Sequence, residues 1–270
     1  MNSVVLDRAR GALQMVRSDR ALVAIADALR GAVALEPGGP SALFRRRGLV
    51  PVYPRLKALD TLDFSEQTLW SGSQPTREVR NTLIGEAGRL EDVQDGAYDA
   101  LLASHVLEHL ADPLGALGQW QRVVRPGGHV LLVMPHRDGT FDHRRPVTSI
   151  EHMRADAERQ TGEDDLTHLE EILELHDLAR DPGAPNREVF EQRCRENAST
   201  RGMHHHVFNS RSVVELCQAA GMEVVAMRPK PTFNIICLCR VGGENGKGLS
   251  DDELERILRE SPFESDRAVA

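Results

Sequence analysis

The stretch of sequence that decides the fold is Tyr98 to Pro135, YDALLASHVLEHLADPLGALGQWQRVVRPGGHVLLVMP. Within it, Ala100 to Ala103 is a short apolar run of the kind that forms a strand buried on both faces. Four apolar side chains then recur at helical spacing: Leu114, Leu117, Trp120 and Val124. The triplet Pro126-Gly127-Gly128 ends this helix, and His129 to Met134 is a second apolar run. A strand, a helix and a strand in fewer than forty residues predict a βαβ crossover, and therefore a sheet that is parallel at this point.

Upstream of this crossover the sequence predicts further strands of the same sheet. The apolar run Ala32 to Leu35 leads into a turn, Glu36-Pro37-Gly38-Gly39-Pro40-Ser41. A strand that runs into a glycine turn is where an open α/β sheet meets a nucleotide-type ligand, although such turns more often only connect two elements. Ala58 to Asp63 and Thr82 to Ile84 are further short runs, the second followed by Glu86-Ala87. This succession predicts an α/β fold with a Rossmann-like, doubly wound, mostly parallel sheet.

Two acids follow the glycine turn at a suggestive distance. Asp60 and Asp63 both lie about two dozen residues beyond it. In dinucleotide-binding folds an acid near that separation bonds the ribose hydroxyls. Spacing alone does not choose between the two.

From Pro135 to Phe208 the chain is polar, with histidine, aspartate and arginine in clusters. Seven of the eleven histidines fall between residues 143 and 206. A loop-rich insertion of this size is usually disordered or functional, and its residue choice favours function. Beyond it, Ser212 to Ala220 predicts an amphipathic helix, and Met222 to Ala226 and Asn234 to Cys239 predict strands that complete the sheet.

These patterns predict one α/β domain with two short flanking segments. Residues 1–30 carry an apolar stripe at helical spacing. The domain itself spans residues 31–242, with a helical and loop-forming cap inserted after the fifth strand at about 137–206. Residues 243–270 hold one acidic helix and a polar end, and we expect them to form a solvated tail.

The composition excludes several classes of protein. At 270 residues with 40% hydrophobic and 27% charged side chains, the chain suits a globular domain. The net charge of −8 argues against a nucleic-acid-binding protein, which usually has a basic surface. No apolar run approaches the roughly 20 residues of a membrane span, and there is no signal-peptide pattern. We therefore expect a cytoplasmic protein with no membrane partner and no nucleic-acid partner; its oligomeric state is not indicated.

The cysteines are expected to be reduced, buried thiols. They are Cys194, Cys217, Cys237 and Cys239. Cys237 and Cys239 alternate within an apolar run, a spacing that suits neither a CxxC redox pair nor a zinc knuckle.

The motifs, taken in order, resemble a known family. They are LEPGG (35–39), TLDFS (61–65), GEAGRL (85–90), YDALLASHVLEHLADP (98–113) and RVVRPGGHVLLVMP (122–135). Together they resemble the class I S-adenosylmethionine-dependent methyltransferases of the type 11 kind, over about residues 30–136 and again over 203–240. The His/Asp-rich insertion is similar to that of a less-studied bacterial subgroup of these proteins.

The resemblance implies S-adenosylmethionine as cofactor and assigns its contacts. The glycine turn would hold the methionine part of the cofactor, and an acid ending the second strand would bind the ribose. An acid after the third strand would lie by the adenine, and the segment opening at Ser104-His105 would form the floor near the methyl group. The implied cofactor residues are Glu36, Gly38, Gly39, Asp60, Asp63, Glu86, Ser104 and His105. In place of the family's third glycine, this chain has Pro40-Ser41.

One motif admits a second interpretation. His105-Val106-Leu107-Glu108-His109 matches the H-x-x-E-H pattern of zinc proteases, with two imidazoles and a glutamate base. It opens directly from a buried strand, however, and Asp112-Pro113 interrupts the helix one turn later. It also falls where the methyltransferase pattern has HVLEH, so we favour packing and hydrogen bonding beneath the cofactor.

The insertion supplies candidate catalytic and substrate-binding residues. The imidazoles of His143, His205 and His206 are candidates for the general base that takes a proton from a substrate hydroxyl. Arg144 and Arg145 are candidates to clamp a carboxylate or phosphate of the substrate. The alternative for this charged loop is solvation, or ion pairs with nearby acids.

A divalent metal site is a further candidate. If residues 204–206 form a strand, His204 and His206 share one face. With Asp164, Asp165 or His168 they would supply metal ligands, and we take His204, His206, Asp165 and His168 as the candidate set. Such an ion would hold and acidify a hydroxyl pair. The alternative is a hydrogen-bonded polar network.

The predicted reaction is in-line transfer of a methyl group from S-adenosylmethionine to an oxygen, or secondarily a nitrogen, of a small polar or sugar-containing acceptor such as a glycan. Only 4% of residues are aromatic, and a flat aromatic acceptor would call for more stacking surface. Two alternatives stay open: a metal-dependent hydrolase or other enzyme on the same scaffold, and a non-catalytic, cofactor-binding partner protein.

Overall fold

A mixed sheet of seven strands organises the computed structural model, which describes residues 19–66, 79–242 and 248–268. The strands are β1 (Val33–Pro37), β2 (Ala58–Asp63), β3 (Val79–Ile84), β4 (Tyr98–Ser104), β5 (Val124–Pro135), β6 (Glu223–Lys230) and β7 (Asn234–Arg240). They lie in the order β3-β2-β1-β4-β5-β7-β6. All neighbouring pairs from β3 to β5 are parallel, whereas β7 runs antiparallel to both β5 and β6. The predicted Rossmann-like, mostly parallel sheet is confirmed.

Helices cover both faces of the sheet. They are α1 (Arg20–Ala28), α2 (Pro113–Val123), α3 (Ile150–Arg159), α4 (Leu169–Leu175), α5 (Arg187–Arg195), α6 (Asn197–Thr200), α7 (Ser210–Ala219), α8 (Asp251–Arg259) and α9 (Glu264–Ala268). None of the helices in the described ranges is both long and apolar enough to cross a membrane. Of the N-terminal segment predicted to be helical, α1 is described, and residues 1–18 lie outside the described residues.

The βαβ crossover is present, with one difference at its turn. Asp112 caps the start of helix α2, and its carboxylate accepts a hydrogen bond of 2.7 Å from the backbone N–H of Gly115. The helix ends before the predicted triplet, and β5 already starts at Val124. Tyr98 pairs with Val124 but Ala100 pairs with His129, so the intervening residues form a bulge within β5 instead of a turn before it.

Two apolar clusters fill the space between sheet and helices. One face packs the fully buried Trp120 of α2 together with residues of α7 and α8. The other face packs Ile25 of α1 with Phe44 and Tyr53, which lie between β1 and β2. Burial on both faces is what the continuous apolar strands predict.

The insertion has a small core of its own, formed by apolar side chains of α4, α5 and the segment that follows. Its buried residues are Leu169, Ile172, Leu173, Ala184, Phe190, Cys194 and Met203. The four cysteines are free thiols and all are buried, as predicted.

The prediction of a solvated C-terminal tail is wrong. Leu258 of α8 is fully buried, and Leu254 and Ile257 join the same cluster as α2 and α7. Asp266 of α9 is fully buried and accepts a hydrogen bond of 2.6 Å from the hydroxyl of Ser210. These helices therefore belong to the domain.

Candidate active site

A cavity of about 790 Å³ opens at the carboxyl ends of β1, β2, β4 and β5. This edge of the sheet is where open α/β folds bind their ligands. The insertion covers it, since residues 180–183, Arg193, 201–202 and His204 line the same space.

The glycine turn after β1 brings backbone to the cavity wall. Gly38 lines the cavity and has φ +69°, and a Cβ atom there would lie 2.7 Å from Cγ2 of Val106. A side chain is therefore excluded, which leaves backbone open to a ligand. Ser41, in the position of the missing glycine, also lines the cavity, and its hydroxyl donates a hydrogen bond of 3.0 Å to that of Ser104.

Glu36 and Gly39 support this turn from beneath and do not line the cavity. The fully buried Glu36 carboxyl accepts hydrogen bonds from the N–H of Ser41 at 2.9 Å and the hydroxyl of Tyr53 at 2.6 Å. Burial raises its pKa to about 7. A Cβ atom on Gly39 would lie 2.5 Å from Cδ of Glu36. The expectation that Glu36 contacts a cofactor directly is therefore wrong.

The structure separates the two candidate acids of β2. Asp63 lines the cavity. The buried Asp60 instead accepts hydrogen bonds from Arg80, from Asn81 at 3.0 Å and from the Tyr98 hydroxyl at 3.0 Å. Burial opposes ionisation of Asp60, but the bonds from Arg80 and Tyr98 outweigh it and lower its pKa. Asp60 is thus a structural acid, and its predicted ribose contact is wrong.

Glu86 lines the cavity beyond β3 and ties the insertion to the sheet. Its carboxylate lies 2.8 Å from the guanidinium of Arg201. That guanidinium also lies over the ring of Phe64, 5.3 Å from its centroid. Phe64 and Arg201 both line the cavity and were not identified from the sequence.

His105 lies at the end of β4 in a strained backbone conformation, with φ +55°. Its Nε2 lies 3.0 Å from Oδ1 of Asn234, and its Nδ1 lies 3.4 Å from Oε1 of the fully buried Glu108. Burial lowers the pKa of this imidazole, but Glu108 outweighs burial and the net shift is upward. Both nitrogens of His105 thus lie beside oxygen atoms of the protein, and the residue lines the cavity.

Within the insertion, His204 forms a pair with Asp142. The His204 ring lines the cavity, and its Nδ1 lies 2.6 Å from Oδ2 of Asp142. Asp142 is buried and is also paired with Arg145 at 3.1 Å. Burial opposes ionisation, yet His204 and Arg145 together lower the pKa of Asp142 to about 2. A carboxylate so placed fixes the tautomer with the lone pair on Nε2 of His204.

The residues predicted as bases lie elsewhere. His205 and His206 are each 1% exposed and do not line the cavity. His205 contacts Asn197 at 3.0 Å, and burial lowers its pKa to about 2. His143 bonds Asp177 at 3.0 Å, also outside the cavity lining. Residues 204–206 form no strand, so the alternation on which these predictions depended does not hold.

The predicted arginine clamp is also wrong. Arg145 is 1% exposed and is used internally, through Asp142, Glu171 at 2.8 Å and the carbonyl of His204 at 2.9 Å. Arg144 is exposed but points to Asp177, 3.5 Å away, and does not line the cavity. Two arginines that the sequence did not single out, Arg180 and Arg193, line the cavity instead.

The predicted metal ligands are divided between two places. His168 and His206 lie together with two other side chains, His152 and Asp156. His204 instead lies beside Glu108 and His109. Asp165 joins neither group and accepts a hydrogen bond from Thr167. The set proposed from the sequence is therefore wrong as a set.

Comparison with models of protein families identifies the family of the chain. A family model described as "Methyltransferase domain" matches residues 80–227, which is more than half of the chain. The chain belongs to this family. With the motifs and the strand order above, this makes it an S-adenosylmethionine-dependent methyltransferase. The hydrolase and non-catalytic alternatives are thereby set aside.

One curated relative matches the chain over a short segment. An uncharacterized 37.1 kDa protein in transposon TN4556 of Streptomyces fradiae is 40% identical over 52 residues, which are 19% of this chain and 15% of that protein. The matched part therefore spans far less than two thirds of that relative.

Solved structures with a similar arrangement have low sequence identity. A SAM-dependent methyltransferase from Aquifex aeolicus is 11% identical with a TM-score of 0.47, covering 85% of this chain and 92% of that one. An S-adenosylmethionine-dependent methyltransferase from Mesorhizobium loti is 12% identical with a TM-score of 0.47, covering 82% and 96%. The 1,6-didemethyltoxoflavin-N1-methyltransferase of Burkholderia thailandensis is 16% identical with a TM-score of 0.46, covering 88% and 84%. At these values the likeness carries no argument about the acceptor.

Proposed function

We propose that the enzyme transfers its methyl group to a hydroxyl oxygen of a small polar or sugar-containing acceptor, with His204 as general base. The observation that carries this proposal is the His204–Asp142 pair at the cavity wall, with a distance of 2.6 Å. An imidazole whose Nδ1–H is held by a carboxylate takes up a proton at Nε2 and is stabilised as imidazolium. A hydroxyl needs such a base because it becomes nucleophilic as its proton leaves.

The other histidines of the cavity wall suit this role less well. Both nitrogens of His105 are engaged by the protein, Nε2 at 3.0 Å from Oδ1 of Asn234 and Nδ1 at 3.4 Å from Oε1 of Glu108, which leaves neither for a substrate proton. His109 contacts the Met203 carbonyl through Nδ1, and burial lowers its pKa to about 4, which makes it a weak base. His204 remains as the candidate.

The residues at the strand ends fit the cofactor. S-Adenosylmethionine supplies an electrophilic methyl group on a sulfonium sulfur. The turn at Gly38, where a Cβ atom would clash, suits backbone contact with the carboxylate of its methionine part. Asp63 suits the ribose hydroxyls, and Glu86 suits the adenine edge, because both carboxylates line the cavity at successive strand ends.

The acceptor side of the cavity supports a polar substrate. The polar residues that line this part of the cavity include Thr140, Arg180, Asp181 and Arg193 of the insertion and Asn234 of β7. Arg193 pairs with Asp181 at 2.7 Å. Phe141 and Phe233 add two aromatic rings to this wall. Hydrogen-bonding groups around two rings suit a hydroxylated ring such as a sugar.

The test is turnover of the full chain with a panel of hydroxylated and amine-bearing acceptors, followed as formation of S-adenosylhomocysteine. With the acceptor found, His204→Ala is expected to lower kcat about 100- to 10,000-fold. Affinity for S-adenosylmethionine, measured by calorimetry, should stay near that of the parent. Asp142→Asn should lower kcat and shift the pH at which kcat rises with deprotonation of the base, because it removes the charge that stabilises the imidazolium.

The matched control is His143→Ala, a partly exposed histidine–aspartate pair of the same insertion that lies outside the cavity. It should retain parental kcat. Retention of parental kcat and pH profile by His204→Ala would overturn the assignment of the base. Turnover restricted to amine acceptors would overturn the assignment of oxygen as the methylated atom.

A further inference from the structure

Three histidines and an aspartate of the insertion converge at a place separate from the cavity. They are His152, Asp156, His168 and His206, here named the His₃Asp cluster. One potential ligand atom of each lies within 4.8 Å of the others. None of the four lines the cavity, so its methyl-transfer chemistry does not account for them.

The distances approach those of a tetrahedral metal site. Nε2 of His152 lies 3.1 Å from Nε2 of His168 and 3.1 Å from Oδ2 of Asp156. Nε2 of His206 lies 3.8 Å from the same oxygen. In a tetrahedral zinc site, with bonds of about 2.0–2.1 Å, ligand atoms are about 3.3–3.4 Å apart.

Two polar atoms of the cluster are buried without a hydrogen-bond partner. They are Oδ2 of Asp156 and Nδ1 of His206. The other oxygen of Asp156 is already used, by Arg159 at 2.7 Å and Thr161 at 3.2 Å. A buried polar atom without a partner is destabilising, so Oδ2 of Asp156, which lies within the cluster, calls for a partner there.

Hydrogen bonds within the cluster do not supply that partner. Nε2 of His152 carries at most one proton. If it donates that proton to Nε2 of His168, it has none left to donate to Oδ2 of Asp156. Lone pairs on nitrogen and oxygen thus outnumber the protons available to them. A divalent cation accepts all of these lone pairs at once.

We propose that the His₃Asp cluster binds a structural Zn²⁺ ion. Three imidazoles and one carboxylate are a ligand set that zinc takes in tetrahedral geometry. All four positions are filled by protein, which is the arrangement of a structural site. The surrounding contacts to Asp156, from Arg159 and Thr161, are of the kind that orients a metal ligand.

The ion would join parts of the insertion that are distant along the chain. His152 and Asp156 lie one turn apart on α3, His168 immediately precedes α4, and His206 precedes α7. Nε2 of His206 also lies 3.1 Å from the carbonyl oxygen of Ala111, in the loop after β4, and binding of the ion at this nitrogen would replace that contact. The site would therefore fix the insertion against the sheet two residues from His204.

The test is elemental analysis of the full chain purified without chelator, followed by replacement with Co²⁺. We expect a single Zn²⁺ per chain, and a Co²⁺ form with the strong visible absorption of tetrahedral coordination and no thiolate charge-transfer band. His168→Ala and His152→Ala, both at partly exposed positions, should each weaken binding at least tenfold in a competition titration.

Controls separate this site from the other ligand groups in the described ranges. Glu108→Gln, Cys237→Ser and His143→Ala should each keep the ion. If folded wild-type protein, stripped of metal and given Zn²⁺ or Co²⁺, binds none, the proposal is overturned. It is equally overturned if the ion persists in the His152→Ala/His168→Ala double variant, or if Glu108→Gln or Cys237→Ser removes it.

Discussion

Asp60 and Asp63 lie three residues apart on β2 and have different surroundings. Asp60 is buried and holds Arg80, Asn81 and Tyr98, whereas Asp63 lines the cavity. The two substitutions to alanine should therefore affect different quantities.

Asp63→Ala is expected to weaken the binding of S-adenosylmethionine about tenfold, equivalent to about 1.4 kcal/mol, with little change in stability. Asp60→Ala should leave binding nearly unchanged. It should lower the free energy of unfolding by about 1–3 kcal/mol, because the buried Tyr98 hydroxyl loses its acceptor. Calorimetry and urea unfolding on both variants check this. Equal loss of affinity in the two would show that the ribose site is misplaced.

Glu36 gives the folded protein a predictable pH dependence. Burial raises its pKa from 4.5 to about 7, so the carboxyl takes up a proton more readily in the folded state. The resulting stability is fully present below pH 4.5 and is lost as the pH rises through about 7. For this group alone the loss amounts to about 3 kcal/mol.

Glu36→Gln should remove that dependence, since an uncharged amide can accept from the Ser41 N–H through its oxygen and donate to the Tyr53 hydroxyl through its NH2. We expect the variant to gain stability over the parent as the pH rises from 5 to 8. Urea unfolding of both proteins at several pH values measures the difference. A constant difference across that range would contradict the raised pKa.

For single residues, the sequence predicts which side chain types take part in the site better than it predicts where each side chain lies. The family motifs point to Asp63, Glu86, Ser104 and His105, and all four line the cavity. The triplet of histidines shows where polar chemistry concentrates, but burial separates its members: His204 lines the cavity while His205 and His206 are enclosed. Burial depends on packing between segments that are distant along the chain, so three consecutive histidines cannot be told apart from the sequence alone.

Among the elements, the C-terminal helices differ most from expectation. Their signal was present in the sequence, since Leu254, Ile257 and Leu258 recur at helical spacing on one face. Ser250 and Glu253 also form a capping box at the start of α8. The polar composition of the flanking residues concealed this amphipathic pattern. The buried strands, by contrast, could be located from the sequence because they appear as short apolar runs, although their order in the sheet was not predicted.

Asp266 anchors the last helix to the end of the sheet. It is fully buried and accepts hydrogen bonds from the hydroxyls of Ser210 and Ser261, each at 2.6 Å, and lies 3.0 Å from Nε2 of His136. Burial opposes its ionisation, but His136 and the two serines lower its pKa. Removing this carboxylate leaves several buried donors without an acceptor.

Asp266→Ala is therefore expected to lower the free energy of unfolding by about 3–5 kcal/mol. Glu264→Ala, an exposed acid in the same helix, is the matched control and should change it by less than about 0.5 kcal/mol. Chemical unfolding followed by circular dichroism measures both. Equal, small effects would mean that α9 contributes little to the stability of the domain.

At the scale of the whole molecule, the insertion acts as a second body laid over the cavity. It has its own apolar cluster and is tied to the sheet by Arg201 on Glu86 and by His206 on the Ala111 carbonyl. The His₃Asp cluster lies within this attachment. Stability is not uniform across such an arrangement, and the part held by few long-range contacts opens first.

Removal of the proposed metal should therefore loosen the insertion and leave the sheet intact. In chelated wild-type protein, we expect faster amide hydrogen exchange in α3, in α4 and in residues 203–206. Exchange in β1, β4 and β5 should stay at the level of the untreated protein. The His152→Ala/His168→Ala double variant should exchange rapidly in the same segments without chelator and show no further response to it. A uniform increase of exchange across sheet and insertion would instead show that the two unfold as one cooperative unit. If chelation leaves exchange in the wild type unchanged, a metal does not hold the insertion over the cavity.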